Sequence, residues 1–359
     1  MPHLCLYVTG HGYGHASRAQ AVAETLLDDP RWSVELRTAA PREVFDWLLG
    51  DRCCLSAVHL DPGVVQSHSF HHDLEKTVAA WRALLDRREA LIDAEARHLD
   101  ETRADVVLSD VSPLACAAAR RAGRPSLVMG NFTWDWILEA YRDADPRFDA
   151  IVADVRHLYA EADLYLRLPM SPPTDLFRAQ RDLPLVARRA HRSRAEVRAR
   201  LAAPADEVLV LLSFGGFGID RLELEGVRRL PNVRCVWDRG PSRPPVLLST
   251  EGSDLRYPEL LRAVDVVLTK PGFSIIAESI AQRMALAYAP RHGFRENALL
   301  VDYLERTWPA SRAISVESLA DGSWVEPAVE LARSGAPRPE IPVDGAANVV
   351  EIVREWAGR

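Results

Sequence analysis

Two histidines, His11 and His15, sit in and just after the glycine-rich loop Gly10-His11-Gly12-Tyr13-Gly14-His15, which directly follows the apolar run Leu4 to Val8. The pattern reads as a strand entering a glycine turn that opens a helix. Ligands bind at this C-terminal edge in open α/β sheets. An imidazole there suits a general base that takes a proton from a hydroxyl near neutral pH. His15 or His11 can fill that role; the alternative for each is a ring hydrogen-bonded to its own turn. Asp110, at the end of another apolar run, is the carboxylate that an acid–base mechanism of a different kind would use.

A second set of residues lies in the other half of the chain. Phe214-Gly215-Gly216-Phe217-Gly218 follows the apolar run Val208 to Leu212. Further on, Thr269-Lys270-Pro271-Gly272-Phe273-Ser274 turns out of a strand into a helix that carries Glu278 one turn in. Free backbone N–H groups at Gly272, Phe273 and Ser274 make a seat for a diphosphate at the positive end of that helix. Gly215 and Gly216 offer a similar cradle. Glu278 shares the helix face of Ser274, where its carboxylate can accept both hydroxyls of a ribose. The block Arg291-His292-Gly293-Phe294-Arg295-Glu296-Asn297 follows the next strand. Glu296 and Asn297 suit sugar hydroxyls there, and Arg291 or Arg295 suits a phosphate. Tyr257 and the strand end at Trp237-Asp238 are the expected neighbours of a nucleobase.

The first loop fails the dinucleotide pattern G-x-G-x-x-G, because His15 stands at the third glycine. The second strand ends in Arg37-Thr38-Ala39-Ala40, with no carboxylate for a ribose. Hydride transfer with a nicotinamide cofactor is therefore a poor reading. There is no G-x-x-x-x-G-K-[ST] segment, which removes P-loop chemistry. His68, His71 and His72 with Asp73 could ligate a metal, but a solvated loop is the preferred reading and no metal site is expected.

These residues need two α/β halves to hold them. Leu4–Val8, Ser33–Thr38, Leu55–Leu60, Val106–Ser109, Ser126–Met129 and Asp163–Leu168 read as strands of a parallel sheet. Helices are expected at 17–27, 73–99 and 148–161. Prolines and a basic run mark 169–195 as a connection. A second set of strands follows at 208–212, 233–237, 264–269, 284–289 and 313–315. The division expected is a first Rossmann-like domain over 1–170 and a linker over 171–200. A second Rossmann-like domain spans 201–342, and a C-terminal helix over 343–359 packs back on the first. The two domains are expected to face one cleft.

The chain has 359 residues, long for one core, and its net charge of -7 argues against nucleic acid as a partner. No apolar run approaches the ~20 residues of an integral membrane segment. The N-terminus has no signal-peptide pattern, so a cytoplasmic protein is expected. The five cysteines fit no zinc or disulfide framework, and Cys53 and Cys54 are expected to be buried thiols.

Together these blocks resemble GT-B glycosyltransferases, most nearly the lipid II N-acetylglucosaminyltransferase-like branch. The resemblance rests on His15, on Gly272-Phe273-Ser274 with Glu278, and on Glu296-Asn297. The chain is also similar to the glycosyltransferase-like N-terminal region of plant L-arabinokinases and small bacterial relatives. That likeness runs through residues 7–18, Ser109-Asp110-Val111-Ser112-Pro113 and Asn131-Phe132-Thr133-Trp134-Asp135. It continues in Arg167-Leu168-Pro169, Pro184-Leu185-Val186 with Arg188-Arg189, and Lys270-Pro271-Gly272-Phe273. Because it covers the glycosyltransferase-like region alone, it implies no kinase activity. Residues 291–297 lack the Asp-Gln or Gln-Gln pair of better-known branches, so the donor sugar is unassigned.

The resemblance implies an α/β GT-B fold and an inverting, metal-independent transfer from a nucleoside-diphosphate sugar to a hydroxyl of a small soluble acceptor. His15 or His11 would be the base. Gly215, Gly216, Trp237, Tyr257, Lys270, Gly272, Phe273, Ser274, Glu278, Arg291, Arg295, Glu296 and Asn297 would hold the donor. Gly12, Tyr13, Gly14, Asp110, Asn131, Phe132, Trp134 and Asp135 would line the acceptor side. A homodimer is compatible with this reading. The competing readings are a nucleotide-sugar epimerase or hydrolase on the same scaffold, with Asp110 as acid or base, and a binding module that senses a nucleotide-sugar without turnover.

Overall fold

The computed structural model describes residues 1–68, 71–215, 222–238, 241–291 and 293–358. The chain forms two compact units, the first comprising Met1–Ser67, His71–Ala187 and Pro342–Arg359 and the second Arg188–Ile341.

In the first unit, β1 (His3–Val8), β2 (Ser33–Thr38), β3 (Cys53–Ala57), β6 (Val106–Asp110), β7 (Ser126–Gly130), β8 (Leu164–Arg167) and β9 (Gln180–Asp182) make one sheet, with β4 (Gln66–His68) and β5 (His71–His72) forming a small separate pair. The order is β3-β2-β1-β6-β7-β8-β9, with parallel neighbours throughout. A parallel sheet needs crossover helices on both faces. These are α1 (Tyr13–Leu27), α2 (Leu74–Leu85), α3 (Arg88–Glu101), α4 (Pro113–Arg121), α5 (Trp134–Glu139) and α6 (Phe148–Tyr159). The strand order reverses beside β1, so the gap between the ends of β1 and β6 is the switch point at which such sheets bind ligands.

The second unit repeats the plan. Helices α7 (Arg194–Arg200), α8 (Glu225–Arg228), α9 (Tyr257–Ala263), α10 (Phe273–Ala281), α11 (Asn297–Thr307), α12 (Val316–Asp321) and α13 (Val325–Arg333) surround a six-stranded sheet. Its strands are β10 (Val208–Ser213), β11 (Val233–Trp237), β12 (Leu247–Ser249), β13 (Val266–Thr269), β14 (Ala285–Tyr288) and β15 (Ser311–Ala313). The order β12-β11-β10-β13-β14-β15 puts the switch point between β10 and β13. The strand ends there are Phe214-Gly215 and Lys270-Pro271-Gly272.

The C-terminal helix α14 (Gly345–Ala357) belongs to the first unit. Its Ala346, Val349, Val350, Ile352 and Val353 join the core that contains Ala16, Ala19, Ala23 and Leu26 of α1. Gly345 N–H donates to Leu185 O at 3.0 Å, and Leu185 N–H to Pro342 O at 3.2 Å, which ties the returning chain to the segment after β9.

Several local expectations change. The helix expected over 73–99 is two helices broken at Asp86-Arg87, and Trp81, expected to be partly exposed, is fully buried and donates its indole N–H to Gly63 O at 2.8 Å. The stretch expected as a connection carries β9 and α7, whose few residues give little periodicity. Strand β12 went unread for the same reason. Cys53 is buried, but Cys54 is exposed, since neighbours on an edge strand point to opposite faces.

Candidate active site

At the first switch point the chain leaves β1 through Thr9-Gly10 and turns at Gly12, whose φ of 80° is the left-handed conformation that glycine adopts without strain. Helix α1 starts at Tyr13, so His15 sits in its first turn. There the positive end of the helix dipole opposes an imidazolium. The His15 Nδ1 lies 2.8 Å from Asp110 Oδ1. Asp110 ends β6, and the chain turns sharply after it at Val111, with φ of 58°. A β-branched residue in that region stores strain. The turn is held by the Tyr159 hydroxyl donating to Val111 O at 2.5 Å and by Ser112 N–H donating to Ser109 Oγ at 2.9 Å.

A third residue completes the cluster. Arg18, one turn after His15, donates from Nε to Asp110 Oδ2 at 3.1 Å and from Nη2 to Asp110 Oδ1 at 2.6 Å. Its Nη2 is also 2.9 Å from His15 Nδ1, and its Nη1 donates to Asn131 Oδ1. Asn131 in turn donates to Pro169 O at 2.6 Å. His15, Arg18, Asp110 and Asn131 are 8%, 3%, 0% and 3% exposed, so the residual exposure of the cluster is on the imidazole. Burial alone would raise the Asp110 pKa, but Arg18 and His15 outweigh it and hold the carboxyl below its ordinary value. Burial, aided by Arg18 and opposed by Asp110, holds His15 below the ordinary histidine value. With Nδ1–H directed at a carboxylate, Nε2 keeps its lone pair.

Aromatic rings shape the wall. Phe132 meets His15 edge-on at 5.6 Å, and Trp134 meets His11 edge-on at 5.3 Å. His11 is packed by its own surroundings. Gln66 Nε2 lies 3.3 Å from its Nε2, and a Cβ at Gly63 would stand 2.6 Å from its Nδ1. Of the two histidines, His15 has the carboxylate partner that a base needs. Thr9 Oγ1 donates to Asp61, which follows β3, and burial pushes the Asp61 carboxyl up to about 7.

Four residues expected on the acceptor side are buried. Asp110 is enclosed with both oxygens engaged. Asn131 is spent on Arg18 and Pro169. Trp134 is 1% exposed, and Asp135 is buried against Arg156 at 3.0 Å. Gly12, Tyr13 and Gly14 remain partly exposed, and Phe132 is buried beside His15.

At the second switch point α10 starts at Phe273, with Gly272 as an extended N-cap whose neighbours form no side-chain cap. Glu278 differs from expectation. Arg188 grips it with both arms, Nε to Oε1 at 2.5 Å and Nη2 to Oε2 at 3.0 Å, and the pair is almost enclosed. The guanidinium also sits 5.4 Å from the centre of the Tyr257 ring, whose hydroxyl pairs with Ser213 Oγ. A ribose at Glu278 must therefore exchange with Arg188. Lys270 lies beside Gly215, with its Cε 3.8 Å from where a Cβ there would stand. Burial, reinforced by Arg291 and opposed by Glu296, pushes the Lys270 ammonium down to about 7. Burial raises the Glu296 carboxyl, with Arg291 and Lys270 pulling it back. Arg291 stacks over Phe294 at 3.2 Å, and its backbone N–H donates to Asn297 Oδ1 at 2.8 Å. Asn297 is thus a structural brace for this loop. Trp237 ends β11, partly exposed, and Arg295 is partly exposed on the same loop as Glu296. Gly216 lies outside the described residues, as do the side chains of His68 and His71. His72 Nδ1 pairs with the Tyr141 hydroxyl at 2.6 Å, and Asp73 caps α2 by accepting from Lys76 N–H at 3.0 Å. Among the described residues no group of three or more His, Cys, Asp or Glu is arranged to hold a metal ion.

Sequence reasoning gave no role to Arg18 or Arg188, and took Asp61 only as the start of the segment 61–72, expected to line the acceptor side. Arg18 carried a local signal, three residues after His15 on the same helix face. Arg188 carried none, because it meets Glu278 from 90 positions away along the chain.

No family model matches the chain. It is 32% identical, over 98% of its length, to the L-arabinokinase of Arabidopsis thaliana, of which it spans about a third (34%). Among solved structures it resembles Arabidopsis thaliana UGT89C1 complexed with quercetin, at 17% identity and a TM-score of 0.64 over 99% of this chain and 94% of that one. It also resembles the calicheamicin glycosyltransferase CalG4, at 15% identity and a TM-score of 0.62 over 100% and 99% of the two chains. Acinetobacter baumannii MurG matches at 13% identity and a TM-score of 0.58 over 99% and 100%. The chain has the two-unit α/β fold of GT-B glycosyltransferases, as its sequence resemblance implied. No helix among the described residues is long and apolar enough to cross a membrane.

Proposed function

We propose that this protein is a glycosyltransferase that moves a sugar, hexose or pentose, from a nucleoside diphosphate to a hydroxyl of a small soluble acceptor. The observation that carries the reading is the buried pairing of His15 with Asp110 at the first switch point. The acceptor oxygen attacks the anomeric carbon while its proton passes to His15 Nε2. The bond from that carbon to the diphosphate oxygen breaks, and the diphosphate leaves with the electron pair. A single displacement of this kind inverts the anomeric centre. Asp110 holds the ring and balances the imidazolium that forms. On the donor side, the N–H groups at 272–274, Lys270 and Arg291 or Arg295 meet the charge on the leaving diphosphate, so the scheme needs no metal. Glu278 takes the ribose diol once Arg188 has let go. UGT89C1, one of the structural relatives, has been solved with UDP-L-rhamnose, which supports a nucleotide-sugar as the donor class.

The alternative of an epimerase or hydrolase using Asp110 as a free acid or base is disfavoured by the engagement of both its oxygens. The test is a panel of nucleoside-diphosphate sugars and small hydroxylated acceptors, with release of nucleoside diphosphate as the readout. His15→Ala should lose ~10²–10⁴ in turnover, the usual contribution of a general base. Its melting temperature should still rise with the same nucleotide. Undiminished turnover in His15→Ala would remove the histidine from the mechanism. Nucleotide binding with no product from any acceptor would leave a sensor instead of an enzyme.

A further inference from the structure

A paired histidine and aspartate ordinarily form an isolated couple, in which the carboxylate makes the imidazole a stronger base. Here the couple has a third member. Arg18 reaches both oxygens of Asp110 and stands 2.9 Å from His15 Nδ1. We propose that Arg18 is a positioning residue that shares Asp110 with His15 and so lowers the basicity of the histidine. The inference rests on the reading of His15 as the base.

Three observations carry it. The guanidinium is fixed at its far end. Nη1 donates to Asn131 Oδ1, and Asn131 is itself held by Pro169 O, so the fork cannot swing away from Asp110. The assembly is dry, with Arg18 at 3% exposure and Asp110 at 0%, so the charges act on one another with little screening. The contacts also fix where protons sit. A guanidinium has only donors, and its Nη2 points at Asp110 Oδ1, the same oxygen that faces Nδ1. With Nδ1–H donating to Oδ1, the carboxylate takes a donor from each partner, and the guanidinium stands 2.9 Å from Nδ1 as a cation and not as a hydrogen-bond donor to it.

The groups that face His15 bear this out. From β6 comes Asp110, a negative charge that favours the imidazolium. From α1 comes Arg18, a positive charge that opposes it, together with the positive end of the helix dipole. From the segment after β7 come Asn131, Phe132 and Trp134, all uncharged. Asp61, from the loop after β3, lies near Asp110, and His11 lies on the other side of Trp134. Arg18 is the cation that offsets Asp110. Burial disfavours the imidazolium first, and Arg18 adds to that against the pull of Asp110 in the neutral range. Sharing the carboxylate keeps the ring neutral and ready there.

The experiment is a titration of the His15 ring by NMR in the full-length protein, alongside Arg18→Met and Arg18→Lys. Removing a cation in direct contact moves a pKa by roughly one to three units. The His15 pKa should therefore rise by about one unit or more in Arg18→Met. It should rise part of the way in Arg18→Lys, because an ammonium cannot bridge both carboxylate oxygens and Asn131 at once. The acid limb of kcat/KM should move up by the same amount. An unchanged His15 pKa in Arg18→Met overturns the proposal. Should that variant not fold, an unchanged pKa in Arg18→Lys overturns it equally. Loss of activity with no change of pKa would make Arg18 a fold residue alone, which also overturns it. The titration needs no substrate, so a wild-type protein that proves inactive would sink the transferase reading and leave this result standing.

Discussion

Helix α14 should decide whether the platform for His15 exists at all. It packs on α1, which carries His15 and Arg18 in its first turns, and it lays Ala346, Val349, Val350, Ile352 and Val353 into the first unit's core. Ile352 is 3% exposed. Replacing it with alanine removes three buried carbons and leaves a cavity, which costs ~2–5 kcal/mol. For a unit of this size each kcal/mol is worth roughly 2–4 °C, so the melting temperature should fall by roughly 4–20 °C. Deleting the chain from residue 341 removes all four buried β-branched side chains of α14, each worth ~1.5–3 kcal/mol. The total of ~6–12 kcal/mol is comparable with the whole stability of a domain. The first unit of that truncation should not fold, while the second unit keeps its own transition. Calorimetry with far-ultraviolet circular dichroism reads both. A fall of less than ~2 °C in Ile352→Ala, or a truncation that melts as the full chain does, would refute the assignment of α14 to the core of this unit.

Two further outcomes concern the donor side. Lys270 has its ammonium pushed down to about 7 by burial, with Arg291 adding, so the anion of a bound nucleotide-sugar must recharge it. A lowered base is charged below that value and neutral above it. UDP-glucose, whose diphosphate does not titrate in this range, should therefore bind more weakly as pH rises through 7, by up to ~10-fold per unit. Lys270→Met should bind weakly with a flat profile, and a flat profile in the wild type would remove Lys270 from the site. Because Arg188 holds both oxygens of Glu278, Arg188→Gln should tighten UDP binding by up to ~10-fold, about 1.4 kcal/mol, in a calorimetric titration. Unchanged or weaker binding would mean that Glu278 is not the ribose seat.

The chain's own order of residues settled what local physics can settle. Short apolar runs alternating with helices dictate parallel sheets, because such strands are buried on both faces. The glycine turns at 10–14 and 214–215 and the turn at 270–272 announce where those strands end. That turn chemistry made it legible that His15, Lys270 and the 272–274 helix start stand at the C-terminal ends of strands. The helical spacing of 343–356 likewise announced α14.

Tertiary structure decided which side chains meet. His15 and Asp110 are 95 positions apart and come together because β1 and β6 are neighbours in the sheet. That register sets Asp110 against the histidine, fully buried and with both oxygens engaged. The grip of Arg188 on Glu278 spans 90 positions and turns an open carboxylate into half of an ion pair. The burial of Trp81 against Gly63, 18 positions away, was equally invisible. Periodicity and turn residues are properties of neighbours along the chain. Ionisation, tautomer and burial belong to neighbours in space, and those are set only when the sheets close.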